Sequence, residues 1–237
     1  MESGFRIGAV IVAGGNGSRM GGAIPKQFAI VGGEPILVRT INNFAAAFAG
    51  ARIVVVLPAA HVDFRRNLSA RFDVARHSVT EGGAERFHSV RRGIEALSDA
   101  VDLIAVHDGV RPFASAALMR RAAECAAEFG SGIPAVRPAD SFRLVADASE
   151  NGAEMCTERG SEIIDRQRLR IIQTPQIFRA DLLRAAYDVD YDASFTDDAS
   201  VVERAGYAVA LVEGDGDNVK ITTPRDLRFA EIRCADE

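Results

Sequence analysis

Cysteine is scarce: Cys125, Cys156 and Cys234 are scattered, odd in number, and lack the paired spacing of a zinc site. That pattern points away from a disulfide framework and towards reduced thiols in a cytoplasmic setting. No apolar run approaches the roughly 20 residues that a membrane-spanning helix needs. The opening residues MESGFRIGAV lack a basic region followed by a long apolar segment, so no signal peptide is expected. Positive charge is also in short supply. The formal net charge is −5, which argues against a nucleic-acid partner. An anionic ligand would therefore need a local cluster of Arg and Lys. The common phosphate loops are missing too. No Lys-Ser or Lys-Thr follows the first glycines, so there is no P-loop. The dinucleotide fingerprint fails where Met20 stands in place of its third glycine.

What is present begins at residues 8–28, GAVIVAGGNGSRMGGAIPKQF. The run Ala9-Val10-Ile11-Val12 stops abruptly at Ala13-Gly14-Gly15, which reads as a buried strand entering a tight loop. Glycines let the backbone turn and approach a ligand closely, and exposed N–H groups there form an anion-binding concavity. Two cations, Arg19 and Lys26, follow within reach of the same anion. Pro25 stops a helix from starting directly after the glycines. The pattern suits a polyphosphate site; a plain glycine-rich turn with solvated charges is the alternative.

The chain has 237 residues, 48% hydrophobic and 26% charged, ordinary for a soluble globular protein with a sizeable core. After the loop, Pro35 opens a helix and Arg52–Leu57 is a second strand. Residues 59–70 are expected to be helical, 73–79 a weaker strand, 84–97 a helix and 102–106 a fourth strand. An alanine-rich helix at 115–129 and a strand at 132–136 follow. The alternation predicts an α/β fold: a Rossmann-like, mostly parallel sheet flanked by helices, forming a single domain over 1–237. Ligands of such sheets sit beyond the carboxyl ends of the strands, where the loops 13–26, 82–89 and 107–112 fall. Residues at about 137–172 break the rhythm around the turn signal Asn151-Gly152 and read as a protruding β-arm. An arm with little core of its own packs most cheaply on a second copy, giving a homodimer; a hairpin folded on its own subunit is the alternative. The chain then returns through Gln173-Thr174-Pro175-Gln176 to helices at 180–188 and 198–205, a strand at 208–212, and a terminal helix from Pro224 capped by Thr223.

Asp108 ends a strand, where its carboxylate would point into the ligand crevice and read as a Mg²⁺ ligand beside a polyphosphate loop. Asp217 is a second acidic candidate. Two carboxylates with a phosphate-bound metal suit phosphoryl or nucleotidyl transfer. A loop-capping carboxylate is the alternative for Asp108, and a solvated acidic loop the alternative for Asp217. His107 reads as a packing or hydrogen-bonding residue, and His61, His77 and His88 as structural or surface residues. Gly83, Arg86 and Ser89, at a helix start, could contact a base and ribose; an ordinary helix start is the equal alternative.

The segments AGGNGSRMGGAIPKQF, HDGVRPF, the IDR at 164–166, QTPQIF, FTDDAS and VEGDGDNVKITTP occur in this order across nearly the whole chain. The ordered set resembles the 2-C-methyl-D-erythritol 4-phosphate cytidylyltransferase family. The resemblance implies a homodimeric nucleotidyltransferase that joins CTP to methylerythritol phosphate with Mg²⁺, releasing pyrophosphate. It matches Ala13, Gly14, Gly15, Arg19 and Lys26 to the family's CTP-phosphate loop, and Gly83, Ser89 and Asp108 to its cytidine, ribose and metal contacts. Arg86 matches an arginine of the same region. Asp108, Arg166, Thr196, Asp217 and Lys220 match sugar-phosphate and transfer-site positions. Of these, Arg19, Lys26, Arg166 and Lys220 are the implied catalytic residues. Arg166 would reach into the partner's site. Ser141 stands where the familiar form has threonine, keeping a hydroxyl for the substrate, while Ala84 replaces an acidic residue and Gly109-Val110 replaces two alanines. A ribitol-5-phosphate cytidylyltransferase would share HDGVRPF and KITTP, whereas Asp165-Arg166, Leu169 and QTPQ favour the methylerythritol enzyme. A sugar-1-phosphate nucleotidyltransferase using UTP or GTP usually has a longer chain. A non-catalytic nucleotide-binding regulator need not keep Arg19, Lys26, Asp108 and Lys220 together.

Overall fold

The computed structural model describes residues 4–14, 25–62, 68, 70–97, 100–145 and 161–235. Three strands at the centre of the sheet owe their place to unbroken apolar runs. They are β1 (Ile7–Val12), β4 (Arg52–Leu57) and β6 (Leu103–Asp108), separated in the chain by the short β2 (Ile30–Val31), β3 (Glu34–Pro35) and β5 (Ser78–Glu81). β1 lies between β4 and β6, parallel to both, with Val10 opposite Val54 and Val106. β5 extends the sheet in parallel beyond β4, and β2 and β3 form a separate small hairpin.

A parallel strand covered on both faces must be apolar at every position, because successive side chains point to opposite faces. The two cores show that alternation. Ala9, Ile11, Ile53, Val55, Leu103 and Ala105 meet helices α1 (Ile36–Ala47) and, further along, Ala116–Phe129 on one face. Val10, Val54, Val56, Ile104 and Val106 meet α2 (Arg86–Ala96) on the other. The helix Ala116–Phe129 is α3. Ser115 caps it, accepting a hydrogen bond from the Leu118 N–H, and Gly130 ends it at φ 90°.

Beyond α3 the chain adds β7 (Ser131–Val136), β8 (Arg143–Val145), β9 (Ser161–Ile163), β10 (Ile171–Ile172) and β11 (Gln176–Arg179). It closes with α4 (Ala180–Ala186), α5 (Asp198–Arg204), β12 (Leu211–Glu213) and α6 (Pro224–Ala235). β11 enters the middle of the sheet, antiparallel to both β6 and β7. The sequence pattern does not announce this strand. At four residues, with Gln176 first and Arg179 last, it carries too short an apolar signal. β10 and β11 pair successively with β7, but the register steps by two residues between them. Gln173 still follows the β10 register, its N–H bonded to the Pro134 carbonyl, so the step falls between Gln173 and Ile177, a stretch that includes the cis Thr174-Pro175 bond.

The expected arm is present at its root, where β8 and β9 pair antiparallel from Arg143 opposite Ile163 to Val145 opposite Ser161. The Asn151-Gly152 turn lies outside the described residues. The arm's expected boundary at residue 172 is corrected: Ile171 and Ile172 already pair with β7, so the arm ends earlier. The weak strand expected over 73–79 is displaced to Ser78–Glu81, where it can pair with Val54–Leu57. Of the helix expected over 59–70, a 3₁₀ turn at Ala59–His61 is described and most of the rest lies outside the described residues. No helix of the described residues is long and apolar enough to cross a membrane.

Candidate active site

The carboxyl ends of β1 and β6, with the loop after β5, open onto a cavity of about 260 Å³. Its walls are Val12, Ala13 and Gly14 after β1, Lys26 and Gln27 beyond the glycine loop, Gly83–Arg86 and Ser89 at the start of α2, and Asp108, Val110 and Lys220. The segments singled out from sequence thus converge here although they lie far apart in the chain. Gly15 and Arg19 lie outside the described residues.

Asp108 is the last residue of β6, paired with Val12 across the sheet. Strand alternation aims its side chain to the α2 face and His107 to the other. Asp108 Oδ2 lies 3.0 Å from Lys220 Nζ and 3.3 Å from Arg111 Nε. Burial alone would raise the pKa of this carboxyl. Lys220, then Arg86 and Arg111, outweigh it and hold Asp108 well below the usual carboxylate range, so it is ionised at neutral pH. Among the described residues both contacts fall on Oδ2, leaving Oδ1 for a ligand. Burial also pushes the His107 imidazole down, to about 4, against the pull of neighbouring Asp108. His107 is wholly buried with Nδ1 2.8 Å from Thr174 Oγ1, which makes it a neutral hydrogen-bonding residue, as its place in the sequence suggested.

Arg86 reaches the cavity from the first turn of α2 but is already paired. Its guanidinium grips Asp198 in a two-pronged contact, Nη1 to Oδ1 at 2.9 Å and Nη2 to Oδ2 at 2.6 Å. Asp198 is wholly buried and also accepts the Tyr187 hydroxyl at 2.6 Å. Burial disfavours the Arg86 charge, and Asp198 more than offsets that, so the pair is ionic. Ser89 serves the loop before it: its hydroxyl accepts the Gly83 N–H at 3.1 Å and donates to the Glu85 carbonyl at 3.1 Å. Gly83 has a steric reason of its own, because a Cβ there would overlap the Cβ of His88.

Other expected residues stand apart. Asp217 does not line the cavity; its Oδ2 lies 3.7 Å from Arg233 Nε and its side chain is 58% exposed. Ser141 and Thr196 are exposed and outside the cavity wall. Arg166 is exposed and donates to the Ala139 carbonyl at 2.8 Å, at the base of the arm. Sequence reasoning missed several residues that the fold brings to the site. Arg111 was legible as the cation three places after Asp108. Asp198 stands in the segment FTDDAS, but only packing shows that it takes Arg86. Thr174, Asn218 and Gln173 gave no chemical signal. Gln27 lines the cavity wholly buried, and neither amide atom has a hydrogen-bond partner among the described residues.

Among the described residues no group of three or more His, Cys, Asp or Glu side chains is placed to hold a metal. A divalent cation here would take one oxygen from Asp108 and most of the others from a phosphorylated ligand and water.

A family model described as IspD, 2-C-methyl-D-erythritol 4-phosphate cytidylyltransferase, matches residues 7–235. A relative of that name from Phocaeicola vulgatus is 42% identical over 224 residues, covering 94% of this chain and 97% of the relative. Another from Geobacillus kaustophilus is 40% identical over 230 residues, covering 96% of each. The crystal structure of 4-diphosphocytidyl-2C-methyl-D-erythritol synthase from Anaerococcus prevotii superposes with a TM-score of 0.79 at 26% identity, over 98% of this chain and 96% of that one. The 2-C-methyl-D-erythritol 4-phosphate cytidylyltransferase of Thermus thermophilus does so with a TM-score of 0.70 at 31% identity, over 99% and 100%. With strand ends, cations and a buried carboxylate arranged around one cavity, and with likeness along almost its whole length, the chain belongs to the 2-C-methyl-D-erythritol 4-phosphate cytidylyltransferase family.

Proposed function

We propose that this cavity transfers the cytidylyl group of CTP to 2-C-methyl-D-erythritol 4-phosphate, giving 4-diphosphocytidyl-2-C-methyl-D-erythritol and pyrophosphate. The observation that carries the reading is the ionised Asp108 in a cavity shared by Lys26, Lys220 and the glycine-rich strand end. Both reactants are anions, so the first task is to cancel repulsion. Lys26, Lys220 and, from the segment outside the described residues, Arg19 supply that charge. A phosphate oxygen of the sugar attacks the α-phosphorus of CTP, the bond to the bridging oxygen breaks, and pyrophosphate leaves. No general base is required, because a phosphate monoester is largely ionised near pH 7. Lysines fixed in place stabilise charge on the five-coordinate phosphorus more than in the ground state, which lowers the barrier.

Asp108 would hold Mg²⁺ through Oδ1, and the metal, when bound, offsets charge on the triphosphate. Asp217 joins it only if its pairing with Arg233 opens. Ala13, Gly14 and Gly15 approach the phosphates, while Gly83 and Ser89 shape the wall for base and ribose. In that wall Arg86, neutralised by Asp198, offers shape and residual N–H groups more than net charge. Ser141, Thr196 and Arg166 lie off the cavity of their own subunit. Under this reading Arg166 and Ser141 act from the arm of a partner, within a cytoplasmic homodimer of single-domain subunits. The exposed apolar side chains at the arm's root support that pairing: Phe142, Leu144 and Ile163, the last 82% exposed.

The test is pyrophosphate release with CTP and Mg²⁺, comparing methylerythritol phosphate with ribitol 5-phosphate. Release with the first alone is expected. Release with the second alone would reassign the acceptor, and silence with both would revive the regulator.

A further inference from the structure

The groups assigned to the transfer come from separate parts of the chain. Asp108 ends β6 and Lys220 follows the loop after β12. The dipeptide Gln173-Thr174, in the connection between β10 and β11, touches both parts. The Thr174 hydroxyl accepts the Asp108 N–H at 3.0 Å and lies 2.8 Å from His107 Nδ1. Its carbonyl accepts from Asn218 Nδ2 at 2.8 Å, two residues before Lys220. Gln173 holds the same loop from the other side: Nε2 donates to the Asp215 carbonyl at 2.7 Å and Oε1 accepts the Asp215 N–H at 3.1 Å. Arg111 closes the circle, donating from Nη1 to the Asn218 carbonyl at 2.7 Å and from Nε to Asp108 at 3.3 Å.

All the polar side chains of this brace are nearly or wholly buried: His107 and Asn218 are fully enclosed, and Gln173 and Thr174 are 5% and 6% exposed. Burying so many polar groups is expensive, and hydrogen bonds only roughly restore what water gave. Even so, His107 Nε2 and Asn218 Oδ1 have no partner among the described residues. An apolar plug would seal this position at lower cost. What the polar version adds is direction, since each bond constrains a distance and an angle.

We propose that Thr174 is a positioning residue: its hydroxyl and carbonyl set the spacing of Asp108 and Lys220 on which the transfer step depends. The inference rests on the reaction assigned above, and on Asp108 and Lys220 as its carriers. Thr174 does not line the cavity. Its effect should therefore appear in turnover more than in nucleotide binding, because most of the cavity wall is built by the β1 strand end and the start of α2.

Thr174→Val keeps the shape and removes the hydroxyl. Its kcat should fall by about 10- to 100-fold while the KM for CTP stays within about threefold. Thr174→Ser loses the methyl group and its packing but keeps the hydroxyl. It should restore most of the turnover even where its melting temperature is no better than that of Thr174→Val. A purely structural role predicts that kcat follows melting temperature through both variants, and that result would overturn the proposal. If Thr174→Val does not fold, Asn218→Ala cuts only the link to the Lys220 loop; unchanged turnover there would overturn it equally. Asp108→Asn, measured alongside, separates the two failures. An active Asp108→Asn defeats the site assignment itself. An inactive one beside a fully active Thr174→Val defeats only the positioning role.

Discussion

Asp108 shows how three cations and burial share one carboxylate. Replacing it by Asn keeps the shape and leaves Lys220 and Arg111 without their counter-charge. Asp108→Asn should lower kcat/KM by at least about 100-fold, with the loss partly recovered at high Mg²⁺ if the metal site is only weakened. Steady-state rates over a Mg²⁺ series check this. His107 gives a pH prediction. The unfolded ring takes a proton near 6.5, the folded ring only at about 4. The unfolded state therefore binds more protons between these values. The contribution of the neutral buried ring is complete above the upper value and is lost as pH falls towards the lower one, at about 1.4 kcal/mol per pH unit. Urea midpoints between about pH 7 and pH 4.5 should show that slope in the wild type and a shallower one in His107→Asn. Gly83 is a steric requirement. Gly83→Ala should destabilise the protein by about 1–3 kcal/mol and raise the KM for CTP, since the Ser89 contact to this loop would shift with it.

Helix α5 carries Asp198 to Arg86, and its start is fixed by a reciprocal cap. Asp197 Oδ1 accepts the Ser200 N–H at 2.9 Å, and Ser200 Oγ accepts the Asp197 N–H at 3.2 Å. The other Asp197 oxygen takes Gln176 Nε2 at 2.9 Å, tying the helix to β11. Asp197→Ala therefore loses a cap and a tie to the sheet at once. A destabilisation of about 1–2 kcal/mol is expected in chemical denaturation, with a rise in the KM for CTP larger than a cap alone would cause. The helix at 198–205 was legible, whereas the pairing of Asp197 with Ser200 and Gln176 was not. Nor was the strand β11. Its four residues have no period long enough to read, and its place between β6 and β7 follows from the sheet around it. In the same way the strand expected at 73–79 moved to Ser78–Glu81, because pairing with β4 fixes it more firmly than local propensity does.

For the whole molecule the decisive prediction concerns the arm. If Arg166 serves the site of a partner, Arg166→Ala and Asp108→Asn subunits are each inactive alone. Mixed, they place an intact Arg166 against an intact Asp108 in one of the two sites of each heterodimer. Refolding an equal mixture should restore about a quarter of wild-type activity, following subunit statistics. No recovery would return Arg166 to its own subunit or remove it from the reaction.

The alternation of apolar runs and helical patterns determined the parallel core by itself, since a strand buried on both faces can only be written in apolar residues. The ordered motifs determined the family, and the loops after β1, β5 and β6 determined where the cavity would be. Tertiary structure decided the rest. It set Arg86 against Asp198, placed Asp217 beside Arg233 and outside the cavity wall, and drew Thr174 between Asp108 and the Lys220 loop. Those outcomes depend on which elements become neighbours across the sheet. Hydrogen bonds and ion pairs reach only a few ångströms, so a partner far away in the chain leaves no mark in the local pattern of residues.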